Sequence, residues 1–488
     1  MSGGADERGG VGMRQVAPTR DDDLVRSVSE VVGGPLGDHA GRHPWWTPLR
    51  VVLVLGALAM SLGIMAKAPC LDVAGETTTG RYAALCWTDT STTYVASGFA
   101  EGLWPFTDDA QARARYAPSG LPPLPGYVAF VSQRITGLLS GSPDLDARGQ
   151  VSVAEVAEQP EVQREAAIFS LVTAVLLAAA GLFAAALLSG VRRQRPWDAA
   201  AFAMAPVLIA FFPIAWDLLA AAAVAATLWA WARERRVLAG VAIGVGAAAS
   251  PLVALLLVPA VAVLGRDRRW PQAGTVALAA CATWLLLTLP AWASSPAAWR
   301  ASWRGHVDGA DIGSLWQLAS EVTGRVPSTR VLLLALALAL VCLAAVVGHL
   351  AWRARWSFAS LGTLTIAVAL FVSPTSSPGL ALVLLPLAVV AVRSWTHLLV
   401  WQGCEIIHWA MLGFYLGGAL APAAGGDARA YWWGIAMRLG GLVWLIGATA
   451  LVAGDAGPGS DDDDAVEAGR GEADPDLEVL ADVRHPSA

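Results

Sequence analysis

CLDVAGETTTGRYAALCWTDTSTTYVASGFAEGLWPFTDD, residues 70–109, is a polar stretch that follows an apolar run at 51–68. From about 163 to 453 the chain is a succession of further apolar runs separated by short loops. A helix needs roughly 20 predominantly apolar residues to cross a bilayer. The stretch is therefore a long loop between membrane helices, and it carries an acid, Asp89, and two cysteines, Cys70 and Cys86. An ionisable group at the rim of a helix bundle is costly unless it is hydrated, paired or used, so the side of the membrane on which this loop lies decides its reading.

Of 488 residues, 56% are hydrophobic and 15% charged, with a mean hydropathy of +0.53. That composition implies an all-α polytopic membrane protein with about ten to thirteen spans. The net charge of −6 is biased by the acidic tail GSDDDDAVEAGRGEADPDLE, and neither end argues for nucleic-acid binding. Residues 1–50 are expected to be a disordered cytoplasmic tail, 51–455 the bundle and 456–488 a disordered cytoplasmic acidic tail. Without an apolar core or cleavage layout in the first 50 residues, 51–68 reads as a retained signal anchor.

Arginines orient the spans. Arg50 precedes the first run, and Arg192, Arg193 and Arg195 follow the run at 163–190. Arg233, Arg235 and Arg236, then Arg266, Arg268 and Arg269, then Arg353 and Arg355, and finally Arg393 mark later turns. Placing these short loops in the cytoplasm requires an even number of crossings between them. Two spans meeting near Trp216 and Asp217 fit between Arg195 and Arg233. Only 29 residues separate Arg236 from Arg266, so two half-crossings are expected there, hinged at Ser250 and Pro251, where proline removes a backbone donor. Runs at 272–291, 329–350, 356–372, 378–392, 401–420 and 429–453 complete twelve segments with both ends inside.

This topology puts loops 69–162 and 292–328 outside. In an oxidising compartment Cys70 and Cys86 fit a disulfide, and two free thiols remain the alternative, whereas Cys281, Cys342 and Cys404 read as packing residues. YVASGFAEGLWPF reads as an amphipathic helix along the interface, with Tyr94, Phe99, Trp104 and Phe106 as its rings. Asp144, Asp146, Glu155 and Glu158 form a solvated face, since the fixed glycine and glutamate of a calcium loop are missing. Asp217 either caps the inward-running helix or helps Asp89 shape an acidic pocket open to the outside. Glu405 and His408 share a helix face but give too few ligands for zinc, and no metal or cofactor is expected. His306, Asp308 and Asp311 lie in the second outer loop, near enough to serve a site.

The segment from Cys86 to Phe106, then AWDLLAAAAVAATLWAWARERRVLAGVAIGVGAAASPLVALLLVPA at 215–260 and FVSPTSSPGLALVLLPLAVV at 371–390, together resemble the actinobacterial integral membrane glycosyltransferases of family 87. The resemblance spans about 45 to 455 and implies a GT-C-like transmembrane helix bundle with a long first extracytoplasmic loop. It implies inverting transfer of a sugar, mannose for this family, from a polyprenyl-phosphate donor to a glycolipid or cell-envelope glycan on the outer face. The family's base, an aspartate of the first outer loop, falls on Asp89. The chain departs from the pattern at Ser250, where relatives have lysine, and at Thr375 and Ser376, where they have glutamine and an aromatic; GLPPLPGY lacks their acidic residue. Charge for the departing phosphate then has to come from Arg81, Arg115 or Arg134, with Tyr94, Asp217 and His306 as further binding candidates.

The residues themselves accord with such chemistry. A carboxylate can deprotonate an acceptor hydroxyl as a phosphate leaves from the opposite face. A lipid-linked donor needs no nucleotide fingerprint, and GVAIGVGAAAS lies inside an apolar run, where glycines serve close helix packing. An inactive or regulatory relative and a secondary transporter are the alternatives. Transporters commonly repeat a broken helix in two matching halves, whereas here the broken hairpin occurs once.

Overall fold

Every regular element among the described residues is helical, because backbone polar groups in a bilayer core must pair within their own segment. The architecture is that of a computed structural model, described at residues 24, 27, 46–70, 78–117, 119–192, 195–214, 216–304, 312–420 and 428–455. The main helices are α1 (Pro48–Lys67), α2 (Asp89–Ala96), α3 (Pro123–Leu139), α4 (Pro160–Ser189), α5 (Leu218–Ala232), α6 (Arg236–Ala249) and α7 (Leu257–Arg266). They continue with α8 (Trp270–Ser294), α9 (Thr329–His349), α10 (Phe358–Val372), α11 (Leu380–Ala391), α12 (Trp395–Leu416) and α13 (Ala428–Asp455). The segments containing α1, α4, α8, α9 and α13 are long and apolar enough to cross a membrane. This is an all-α polytopic membrane protein.

The shorter apolar helices lie at the centre. All 12 residues of α11 are buried. At 1.5 Å per residue it reaches about 18 Å, well short of the roughly 30 Å hydrocarbon core, so long helices surround a shallower middle. Arginine-bearing turns gather at one end, where Arg233 donates to the Gly190 carbonyl at 3.2 Å and Arg269 pairs with Glu234 at 3.3 Å. The long loop meets the other end: the Asp89 amide donates to Ile214 O at 3.0 Å, and Arg113 to Ser295 Oγ. Exposed Trp46, Trp270 and Trp352 flank the first end and Trp292 and Trp433 the second, as amphipathic rings do at membrane interfaces.

The half-crossings form around the expected hinge. Helix α6 stops at Ser250, which is extended (φ −151°, ψ 128°), and Pro251–Leu256 is a 3₁₀ turn leading into α7. Helix α6 runs parallel to α8, with Gly240 facing Val276 and Gly244 facing Ala280; a Cβ on Gly244 would lie 2.5 Å from Ala280 O. The glycines there do serve close packing. Helix α8 contains Pro290, and beside it the Tyr127 hydroxyl of α3 donates to Leu287 O at 2.7 Å and accepts from the Ala291 amide at 3.2 Å.

Three expectations fail. The run after Arg195 is no continuous span: it breaks into Pro196–Ala199, Ala200–Ala203 and Pro206–Phe211, as Pro206 removes a donor from the ladder. The interfacial helix over 94–106 is absent; Gly98 and Gly102 both take left-handed conformations (φ 72°), and Tyr94, Phe99 and Phe106 point into the core. Cys281 and Cys342 are exposed on the outer faces of α8 and α9, where lipid would cover them, whereas Cys404 packs against Gly441.

Candidate functional site

Asp89 sits at the end of a tightly held turn. After the short helix Thr78–Ala83, the Leu85 and Cys86 amides fold back onto the carbonyls of Tyr82 and Arg81 at 3.1 and 3.2 Å. Leu85 is left-handed (φ 57°), a conformation uncommon for a residue with a branched side chain. Cys86 is bonded to Cys70, with Cα atoms 5.5 Å apart. Extended Thr88 (φ −136°) then starts α2 at Asp89, whose amide is tied to Ile214.

That tie brings Asp89 to the junction before α5, where Asp217 stands. Asp217 occupies the N-cap position, but its own backbone is helical (φ −63°, ψ −17°) and its side chain makes no capping bond. The capping reading is therefore corrected. Burial pushes the Asp89 carboxyl up to about 6; burial and then the Asp89 charge push Asp217 up to about 7. Solvent nevertheless reaches Asp89 and part of Asp217. The two carboxyls, crowded by protein yet reached by water, stand near each other at this end of the bundle. Tyr82 is raised first by burial and then by the Asp89 charge, so it lies near Asp89.

The other candidates divide. Arg81 belongs to the Asp89 turn, its carbonyl receiving the Cys86 amide. Arg115 is turned to Glu101 at 2.5 Å and Val151 O at 2.9 Å, so it serves to close the outer loop rather than to bind an anion. Arg134 lies exposed on α3, its guanidinium 4.8 Å from the Phe130 ring. Tyr94 is buried and donates at 2.8 Å to Glu165, which also takes two Arg148 bonds at 2.7 and 2.8 Å; its hydroxyl is consumed in packing the loop onto α4. Ser250 is 3% exposed, and its hydroxyl has no partner among the described residues. Helices α5 and α6 pack as a hairpin, so Ser250 and Asp217 share one end of it. His306, Asp308 and Asp311 lie outside the described residues.

Two features escaped the sequence reading. The first is Arg438 of α13, which pairs with Glu405 at 3.5 Å; Glu405 also accepts from Trp401 Nε1 at 3.3 Å and does not bond His408. Arg438 also holds Ser376 and the Gly313 carbonyl, clasping two loops to the bundle, while His408 is fully buried beside Tyr431. The second is Lys67, 1% exposed, whose Nζ donates to Leu85 O at 2.8 Å and lies 4.3 Å from the Trp409 ring. Composition held a signal for it, since the chain has 32 arginines and one lysine.

Residues 161–374 match the family model for glycosyltransferase family 87. The family 87 match takes in Asp217, Ser250 and Pro251 and leaves Lys67 and Asp89 outside its limits. No curated protein matches the chain. Among solved structures the chain is similar to ArnT from Cupriavidus metallidurans, a structure bound to undecaprenyl phosphate, at 16% identity and a TM-score of 0.40, over 83% of this chain and 77% of that one.

Proposed function

We propose that the protein is an integral membrane glycosyltransferase that moves a sugar, mannose in the reading favoured here, from a polyprenyl-phosphate donor to a glycolipid or cell-envelope glycan, with inversion and with Asp89 as base. The observation that carries this reading is the pair of carboxyls, Asp89 and Asp217, brought together at one end of the bundle in a chain whose residues 161–374 match a glycosyltransferase family. The Asp89 carboxylate takes the acceptor hydroxyl proton as the acceptor oxygen bonds to the anomeric carbon. The bond from that carbon to the phosphate oxygen breaks, and its electron pair leaves with polyprenyl phosphate. Arg81, on the same turn, is the arginine best placed to meet the phosphate's charge. The arginine-rich end faces the cytoplasm by the positive-inside rule, which puts both termini inside and the Asp89 turn outside.

The test supplies purified protein with polyprenyl-phosphate mannose and native membrane glycolipids and counts labelled mannose transferred. Asparagine keeps the shape of Asp89 but cannot take the proton, so Asp89→Asn is expected to lose roughly 10²–10⁴-fold. Ser250→Lys is expected to raise turnover by restoring charge beside the leaving phosphate. Undiminished transfer by Asp89→Asn would end the assignment of the base, and no transfer by the parent or by Ser250→Lys would favour an inactive relative.

A further inference from the structure

A lone lysine among 32 arginines occupies a place that asks for an ammonium. Lys67 is 1% exposed at the last residue of α1. Its Nζ bonds the Leu85 carbonyl at 2.8 Å and stands 4.3 and 5.8 Å from the Trp409 and Trp87 rings, which are themselves 5.5 Å apart. Among the described residues no carboxylate pairs with it. A compact point charge with rotatable donors suits one carbonyl and two ring faces, whereas a broad planar guanidinium does not. The negative end of the α1 dipole adds a little more.

What this cation holds is the start of the catalytic turn. Leu85 has its backbone in the left-handed region (φ 57°), and its carbonyl is the group that Lys67 grips. Cys86 is covalently fixed to Cys70, Trp87 covers the ammonium, and the Asp89 amide is tied to Ile214 O at 3.0 Å. A strained backbone persists only where its surroundings over-determine it. We propose that Lys67 is a positioning residue for Asp89: its ammonium holds the Leu85 carbonyl and the Trp87 ring so that the turn 85–89 keeps the Asp89 carboxylate beside Asp217 at the junction before α5. The inference rests on the reading of Asp89 as the base.

The test does not need transfer activity. Carbodiimides add to protonated carboxyls, so the pH midpoint of modification of the Asp89 peptide, read by mass spectrometry on the purified full chain, follows its titration. The titratable groups facing Asp89 are Tyr82 from the preceding short helix and Asp217 from the junction before α5, whereas Lys67 of α1 reaches it only through the turn, by way of the Leu85 carbonyl. Lys67→Met keeps the stem and removes the donor. The turn relaxes, Asp89 gains water, and its midpoint drops from about 6 by a unit or more, giving about tenfold less labelling above it. Trp409→Leu, which removes one ring face and leaves the Leu85 bond, shifts it the same way by less. Transfer by Lys67→Met, where the parent transfers, falls in kcat with KM unchanged.

Parental midpoints in both variants, with the Cys70–Cys86 bond intact and elution monodisperse, would overturn the proposal. So would an upward shift, which marks direct charge action on the carboxylate. Should Lys67→Met fail to fold, Trp409→Leu decides alone. Absence of transfer by the parent protein removes the proposed function and leaves the labelling comparison standing.

Discussion

Removing Asp217 should change the shape of the pH profile rather than abolish turnover. With carboxyls at about 6 and about 7, the pair passes from neutral to singly charged to doubly charged as pH rises. Only an ionised Asp89 can take a proton, so the rate climbs through about 6. A second charge on Asp217 then opposes the anionic phosphate that must leave beside it, so the rate falls again above about 7. Two steps one unit apart leave roughly 60% of the protein singly charged at the optimum near 6.5 and roughly a tenth at pH 8. Asp217→Asn removes the second step. It should transfer mannose about tenfold faster than the parent at pH 8 and nearly equally at pH 6, measured as initial rates with saturating donor. A bell persisting in Asp217→Asn would refute the coupling, and a uniform loss at every pH would assign Asp217 a direct part in binding or catalysis.

Other outcomes are accessible to simpler assays. Cysteines placed at Ser119 and Asp308 should react with a membrane-impermeant thiol reagent in intact cells, and one at Arg235 only after lysis; the reverse pattern would invert the proposed orientation. Glu165→Gln or Arg148→Met breaks an ion pair that is almost fully buried and should cost about 3–5 kcal/mol in denaturation, whereas Arg134→Ala on the exposed face of α3 should stay within roughly 0.5 kcal/mol. Reduction should release both Cys70 and Cys86 for alkylation; labelling of either without reductant would remove the bridge, which closes a 16-residue separation worth about 3 kcal/mol on loop entropy.

The helices were legible because the bilayer leaves their signals unopposed. Apolar runs such as 329–350 give a helix at Thr329–His349, and the proline at 251 breaks the hairpin where a donor is lost. Failures cluster where short-range pattern yields to tertiary packing. The rings of Tyr94, Phe99 and Phe106 looked interfacial, but periodicity does not reveal that α4 offers the first two Phe169, at centroid distances of 5.1 and 5.8 Å, or that α3 offers Phe106 the Tyr127 ring at 5.9 Å. Asp89 stood out through its own loop, yet its proximity to Asp217 follows from a bond to Ile214, 125 positions along the chain, which no local spacing encodes. Arg115 and Arg148 look alike in sequence to an anion-binding arginine and are distinguished only by Glu101 and Glu165.

Pro290 inside α8 is no free hinge, because the Tyr127 hydroxyl grips the helix on both sides of it. A bare kink lets the outer turn swing; a bracket from a second helix turns the two into one strut. Arg113, bonded to Ser295 just beyond the proline, adds a third point of attachment from the same loop. Helix α8 is apolar and mostly exposed to lipid, so a thicker or thinner bilayer would change its tilt. Through Tyr127 and Arg113 that tilt is carried into α3 and the first long loop, coupling bilayer thickness to the part of the chain that bears Asp89.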